Sequence, residues 1–164
     1  MTDEALQIRL ATPDDMTEVM RLAVTACEEN GFLNASTELL AKEIYPALCQ
    51  DHGLCAVIGP AGTPEIQGLV LIRIGAMWYS HSVVAEERCI FIYPQYRSAK
   101  GGRARRLCEY SKQVADTLGI PLLIGVLSGT RTAGKCKMYQ RIFGEPKGMF
   151  FLYGAETTGT AIQS

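Results

Sequence analysis

The chain has 164 residues, 48% of them hydrophobic and 20% charged, with a formal net charge of −1. Those values fit one globular domain long enough to bury a core, and they exclude a disordered chain. Near-neutrality gives no case for a polyanion or an anionic membrane as partner of the molecule as a whole.

The charge is nevertheless uneven. Residues 1–30 carry Asp3, Glu4, Asp14, Asp15, Glu18, Glu28 and Glu29 against Arg9 and Arg21, whereas 97–106 holds five basic residues and no acid. The six cysteines (Cys27, Cys49, Cys55, Cys89, Cys108 and Cys136) form no Cys-x-x-Cys pair. Zinc spacing is therefore missing, and no metal site is expected. The first residues contain no apolar leader, and no run reaches membrane-spanning length. The expectation is a cytoplasmic protein with reduced, buried cysteines, bound neither to membrane nor to nucleic acid.

Leu6 to Ala11 alternates as a short strand. Thr12-Pro13-Asp14-Asp15 then reads as a helix start, with a cap, a proline at the first position and acids in the first turn. Met16, Val19, Met20, Ala23 and Cys27 line one face of that helix, and Asn30-Gly31 ends it. A second helix opens at Ser36 or Thr37 with Leu39, Leu40, Ile44 and Leu48 apolar. Pro46 predicts a kink or an early stop near Tyr45. Leu54 to Ile58 and Gly68 to Ile74 read as a hairpin with a long loop. Residues 76–84 read as a loop or ragged strand end carrying Trp78.

The next strand runs from Val84 to Tyr93, where Pro94 stops the ladder for want of an N–H. A glycine-rich basic turn follows, then a long helix from Ala104 with Leu107, Tyr110 or Ser111, Val114 and Leu118 apolar. Gly119 ends it. Pro121 to Leu127 is a near-continuous apolar run, as in a strand covered on both faces. Arg131 to Phe143 is a short helix, Gly148 to Tyr153 a last strand, and 156–164 a loose tail. The expected class is α/β, a mixed and mostly antiparallel sheet flanked by about four helices, in one domain spanning 1–164.

The turn between Tyr93 and Ala104 carries the chemistry. A helix N-terminus presents unpaired N–H groups and partial positive charge, and glycines let the backbone approach an anion, so a phosphate-bearing ligand is expected there. A dinucleotide-binding unit does not fit, because Gly-x-Gly-x-x-Gly is missing and antiparallel strands precede the turn. A Walker loop does not fit either, since no Gly-Lys-Ser/Thr follows.

The element order and Ile92-Tyr93-Pro94-Gln95-Tyr96-Arg97 resemble the GNAT superfamily of acyl-coenzyme A-dependent N-acyltransferases, over Ile8 to Tyr153. The family pattern continues from Arg or Gln to x-x-Gly-x-Gly/Ala. Here Lys100 stands where a glycine is usual, and Gly102-Arg103-Ala104 supplies Gly-x-Ala in a loop two residues longer. Met138-Tyr139-Gln140-Arg141-Ile142-Phe143-Gly144 resembles the family's Leu-Tyr-x-x-x-Gly-Phe segment, with the last two residues exchanged.

That resemblance implies the GNAT fold, acetyl-CoA as cosubstrate and direct acetyl transfer to a primary amine of a small molecule or peptide. It places the coenzyme pyrophosphate on the turn of Arg97, Ser98, Lys100, Gly101, Gly102, Arg103 and Ala104. It lays the pantetheine arm along Ile90, Phe91 and Ile92, where the strands 84–93 and 121–127 would splay apart. The usual asparagine before the last helix is missing, so Ser128, Thr130 or Thr132 would replace its hydrogen bond. Arg131, Lys135 and Lys137 would lie near the 3′-phosphate, and Tyr139 would protonate the departing thiolate. Pairing through an exposed sheet edge into a homodimer is in keeping with the family.

An ammonium acceptor must lose a proton before it attacks, and Glu86 and Glu87 are the candidate bases. In an unbroken strand Glu86 shares a face with Ile90 and Ile92 and Glu87 points the other way, which ranks Glu86 first. A bulge would exchange them. His52 and His81 have no Ser or Cys partner at a triad spacing. Two other classes stay open. One is a catalytically inactive CoA-binding regulatory or structural protein of the same fold. The other is a nucleic-acid-binding module using the basic run, in which only Tyr96 interleaves.

Overall fold

In a computed structural model of the chain, residues 5–97, 101–129 and 131–155 are described. Ser98, Lys100, Thr130 and the tail 156–164 lie outside them. The elements in order are β1 (Leu6–Leu10), α1 (Met16–Asn30), α2 (Thr37–Leu48), β2 (Gly53–Pro60), β3 (Gly68–Ala76) and β4 (Val83–Ile92). They continue as α3 (Arg103–Leu118), β5 (Leu122–Leu123) and α4 (Thr132–Phe143). Strands β1 to β5 form one sheet in sequential order, antiparallel throughout except that β4 and β5 run parallel. This is the mixed α/β arrangement expected from the sequence. No helix among the described residues is long and apolar enough to cross a membrane.

The sheet separates two cores. Cys55, Val57, Leu69, Leu71 and Phe91 face α1 and α2, packing on Val19, Leu22, Ile44 and Leu48. Ala56, Ile58, Val70, Ile72, Ala85 and Ile92 face α3 and pack on Leu107. Period-two alternation in β2 and β3 distributes apolar side chains to both faces, and the helices bury each.

Local chemistry sets the helix ends. The Asp15 carboxylate accepts from the Thr12 N–H at 2.9 Å and from both terminal nitrogens of Arg9 at 2.8 Å. The Arg9 guanidinium holds the Asp15 carboxyl below its ordinary range. Ser36 Oγ accepts from Leu39 N–H at the start of α2. Gly31 and Gly119 close α1 and α3 in the left-handed region.

Several expectations need correction. Pro46 does not stop α2, which continues to Leu48 because Ile44, Ala47 and Leu48 are buried on either side of it. Leu39 and Leu118 are exposed, and the inner face of α3 is Leu107, Cys108, Ser111 and Ala115. Only Cys55 and Cys108 are fully buried; Cys49 and Cys136 are exposed, and all six cysteines are free thiols. The run 121–127 contributes only Leu122–Leu123 to the sheet. The segment 148–153 is not a strand, and its side chains are exposed, Phe151 by 90%.

Candidate active site

The short pairing of β5 creates the site. Ala85 opposes Leu122 and Glu86 opposes Leu123, and there the ladder ends. From Glu87 to Ile92 the edge of β4 away from β3 therefore has no strand beside it among the described residues. Two clefts enter this opening. One of about 360 Å³ lies between the end of β4, the start of α3 and α4, and is lined by Ile92, Arg97, Gly102, Arg131 and Met138 among others. The other, of about 940 Å³, lies toward α1 and α2 and is lined by Ala26, Leu40, Glu43, Leu127 and Phe151 among others. Glu29, Ile90, Phe91, Lys135 and Tyr139 line both. The clefts meet at those five residues.

The floor of the smaller cleft is the start of α3. Gly101 and Gly102 have φ of 110° and 57°, conformations that side-chain-bearing residues rarely adopt. The first ladder bond of α3 runs from Arg106 N–H to Gly102 O at 2.9 Å. The amides of Arg103, Ala104 and Arg105 precede that ladder, at the positive end of a 16-residue helix.

Arg97 and Arg103 both line the smaller cleft, and each also holds partners within the chain. Arg97 lines the smaller cleft, but its Nε donates to Ile92 O at 3.0 Å and its Nη2 to Glu29 Oε2 at 2.7 Å. Its guanidinium lies 5.0 Å from the centre of the Phe91 ring. Arg97 thus joins the end of β4 to the end of α1. Arg103 donates from Nε to Oε1 of the buried Gln67 at 2.7 Å and stacks 5.4 Å from the Tyr96 ring centre. Its guanidinium is directed at the loop joining β2 and β3, where Tyr96 Oη donates to Glu65.

The two adjacent glutamates have opposite environments. Leu71 opposes Cys89 and Ile72 opposes Glu87, so Arg88 is an extra residue in β4, a bulge. The bulge overturns the unbroken-strand assignment. Glu87 shares the α3 face with Ala85, Ile90 and Ile92, and Glu86 shares the α1/α2 face with Cys89 and Phe91. Glu86 is ion-paired with Arg73 at 3.3 Å and with Arg88 at 3.1 Å. Glu87 makes no ion pair among the described residues. Burial raises the Glu87 carboxyl to about 7, opposed by the Gly125 backbone N–H and the Lys135 charge. Tyr139 stands close enough to feel that charge; burial first, then Glu87, pushes its hydroxyl well above the ordinary tyrosine value. Tyr139 is therefore a neutral phenol that also contacts the Cys108 thiol, itself raised to about 12 by burial.

Around α4, Lys135 Nζ lies 3.4 Å from Ser128 Oγ and within electrostatic reach of Glu87, so it faces the junction of the clefts. Thr132 Oγ1 donates to Ser128 O at 2.9 Å and lines neither cleft. Ser128 lines the larger one. Lys137 is exposed and lines neither, whereas Arg131 lines the smaller. The sequence reading missed Glu29, Arg105, Gly125 and Met138. Glu29 meets Arg97 across 68 positions of sequence, a distance at which no local pattern can signal a pair.

The sequence matches no family model and no curated protein. Solved structures do match. One is AAC(6')-Iy in complex with the bisubstrate analogue CoA-S-monomethyl-acetylneamine, with a TM-score of 0.67 and 18% identity, covering 91% of this chain and 97% of the other. Another is an aminoglycoside acetyltransferase from an uncultured soil metagenomic sample, in complex with trehalose. Its TM-score is 0.65 at 17% identity, covering 93% and 98%. A third is a ribosomal-protein-alanine N-acetyltransferase from Brucella melitensis biovar Abortus 2308, with a TM-score of 0.65 and 16% identity over 90% and 97%. A five-strand mixed sheet, four helices and a sheet that opens beside β4 give this chain the fold of the GNAT-type acetyltransferases.

Proposed function

We propose that the chain is an N-acetyltransferase that moves an acetyl group from acetyl-CoA to a primary amine by direct attack. One observation carries this reading. Two clefts meet beside the open edge of β4, where the Glu87 carboxylate and a neutral phenol, Tyr139, stand together.

The residues present fit the coenzyme. Positive-φ Gly101 and Gly102 and the first amides of α3 suit its pyrophosphate. The unpaired edge of β4 beyond Glu86 suits the amides of its pantetheine arm, which would lie against it as a strand does. Arg131 lines the same cleft and offers a cation to a phosphate. When bound, the coenzyme supplies the activated thioester.

The rest belongs to the chain. Glu87 takes a proton from the incoming ammonium, a task suited to a carboxylate raised to about 7. Tyr139 gives its phenolic proton to the sulfur as the carbon–sulfur bond breaks and the carbon–nitrogen bond forms. The proton that the nitrogen sheds as it becomes an amide restores Tyr139, and Glu87 returns the first proton to solvent. Glu86, ion-paired with Arg73 and Arg88, fixes β4 to β3 and α2 through them. This reverses the order in which the sequence ranked the two acids.

Calorimetric titration with acetyl-CoA, and in parallel with coenzyme A lacking its 3′-phosphate, tests the reading. Acetyl-CoA should bind and the truncated coenzyme should bind more weakly. Binding by neither would sink it.

A further inference from the structure

The larger cleft is where an amine acceptor would approach Glu87, and its walls differ in character from its floor. Ala26, Leu39, Leu40, Leu127, Phe150 and Phe151 line it, and Leu39, Phe150 and Phe151 are exposed to solvent at 64%, 75% and 90%. Large apolar side chains left exposed around a concavity mark a surface that a ligand covers. At about 940 Å³ the cleft is at the upper end of the range for small-molecule sites, wide enough for a ring system or an alkyl chain beside the coenzyme arm.

The acids of the same cleft are already committed. Glu29 is paired with Arg97 at 2.7 Å, Glu43 with Arg88 at 2.9 Å, and Glu86 with Arg73 and Arg88. Lys42, also on the wall, is paired with Glu38. Glu87 is the one carboxylate of the cleft without a cationic ion-pair partner among the described residues, and it lies at the inner end beside Tyr139. Lys135 lines the same inner end within electrostatic reach of Glu87, so an acceptor with a single ammonium finds one carboxylate there and no second anion. A second or third ammonium on the same molecule would have to be desolvated against apolar walls, or displace an arginine from its pair.

We infer that the acceptor is an apolar-bodied monoamine, an arylalkyl or alkyl primary amine whose nitrogen reaches Glu87 while its body covers Leu39, Leu40, Phe150 and Phe151, and not a polyamine or aminoglycoside. The inference rests on the acetyltransferase reading above and goes beyond it by naming the acceptor class.

The test has two stages, so that failure of one claim is told from failure of the other. Acetyl-CoA binding is measured first by calorimetry; no binding overturns the acetyltransferase reading beneath the inference. Initial rates of thiol release are then compared at saturating acetyl-CoA for tryptamine, octylamine, spermidine and kanamycin. The same four amines are titrated into the protein with coenzyme A bound. Tryptamine or octylamine should exceed spermidine and kanamycin at least tenfold, on the order of one well-placed apolar contact surface, in kcat/KM or in affinity. Leu39→Glu should reduce that preference about fivefold or more by adding an unpaired carboxylate to the wall. Equal or better use of spermidine or kanamycin overturns the assignment. So does failure of both apolar amines to bind or react while acetyl-CoA binds.

Discussion

The chain before Leu123 and the chain after it are built from similar apolar material put to opposite uses. In the first part Val19, Leu22, Ile44, Ile58, Leu69, Ile72 and Leu107 are wholly buried between the sheet and its helices. In the second, Leu127, Met149, Phe150, Phe151 and Tyr153 stand in solvent, and no described residue after Ala115 is counted in the buried core. The difference teaches where each property resides. Stability belongs to the closed two-sided core, whereas the later segment forms walls and keeps the sheet open beside β4. Glu87 and Tyr139 sit on the seam, one from each part.

The largest expected effect lies at that seam. Glu87→Gln should lower kcat by about 10²–10³-fold, whereas Glu86→Gln should change it less than about threefold. Steady-state thiol release checks both, and comparable losses would remove the distinction between the two acids. Next is the core. Leu107→Ala should cost about 3 kcal/mol in urea unfolding, because the wholly buried side chain leaves a cavity. A loss well under 1 kcal/mol would mean that the α3 side of the sheet is not closed. Tyr139→Phe should then lower kcat by about 10–100-fold with acetyl-CoA affinity unchanged. Unchanged turnover would remove Tyr139 as the acid.

A pH experiment sharpens the contrast further. Glu87 is raised from the ordinary 4.5 to about 7, so the folded chain keeps a proton that the unfolded chain releases. Its contribution to stability is fully present below 4.5 and is lost as pH rises through about 7. Glu87→Gln should therefore gain stability relative to the parent between about pH 5 and about pH 8, read from urea midpoints. In the active protein kcat/KM should rise through the same region as Glu87 ionises. The smallest effect is expected at the wall, where Phe151→Ala should alter stability by less than about 0.5 kcal/mol. A large loss there would place Phe151 in a core after all.

The sequence was most readable where burial is two-sided or strictly alternating. Leu6/Ile8/Leu10 and the hairpin from Leu54 to Ile74 follow from period and from turn residues and appear within about two residues of their expected places, whereas α1 opens at Met16, after Pro13–Asp15 has formed a separate 3-10 turn. Pro121 to Leu127 was misread because an apolar run reports only an aversion to water. A buried strand and the lining of a cleft satisfy it equally. Glu86 and Glu87 face the opposite way from an unbroken strand because of a bulge that depends on β3, which the alternation of β4 alone does not encode. The glycine-rich start of α3 was legible as a turn that opens a helix, yet the partners of Arg97 and Arg103 are Glu29 and Gln67, brought in by α1 and by the β2–β3 loop.

Arg88 has a consequence for counting. Being the supernumerary residue of β4, it could be deleted and the glutamates would still face as they do now, with the strand merely straightened. A chain of unchanged length whose strand ran straight would present them the other way round. Relatives that keep the length of this strand but not its bulge can thus share both glutamates and exchange the faces they present. Relatives that lack Arg88 should be aligned with a gap at that position, and the acid on the α3 face identified by parity along the strand before residue identity is compared.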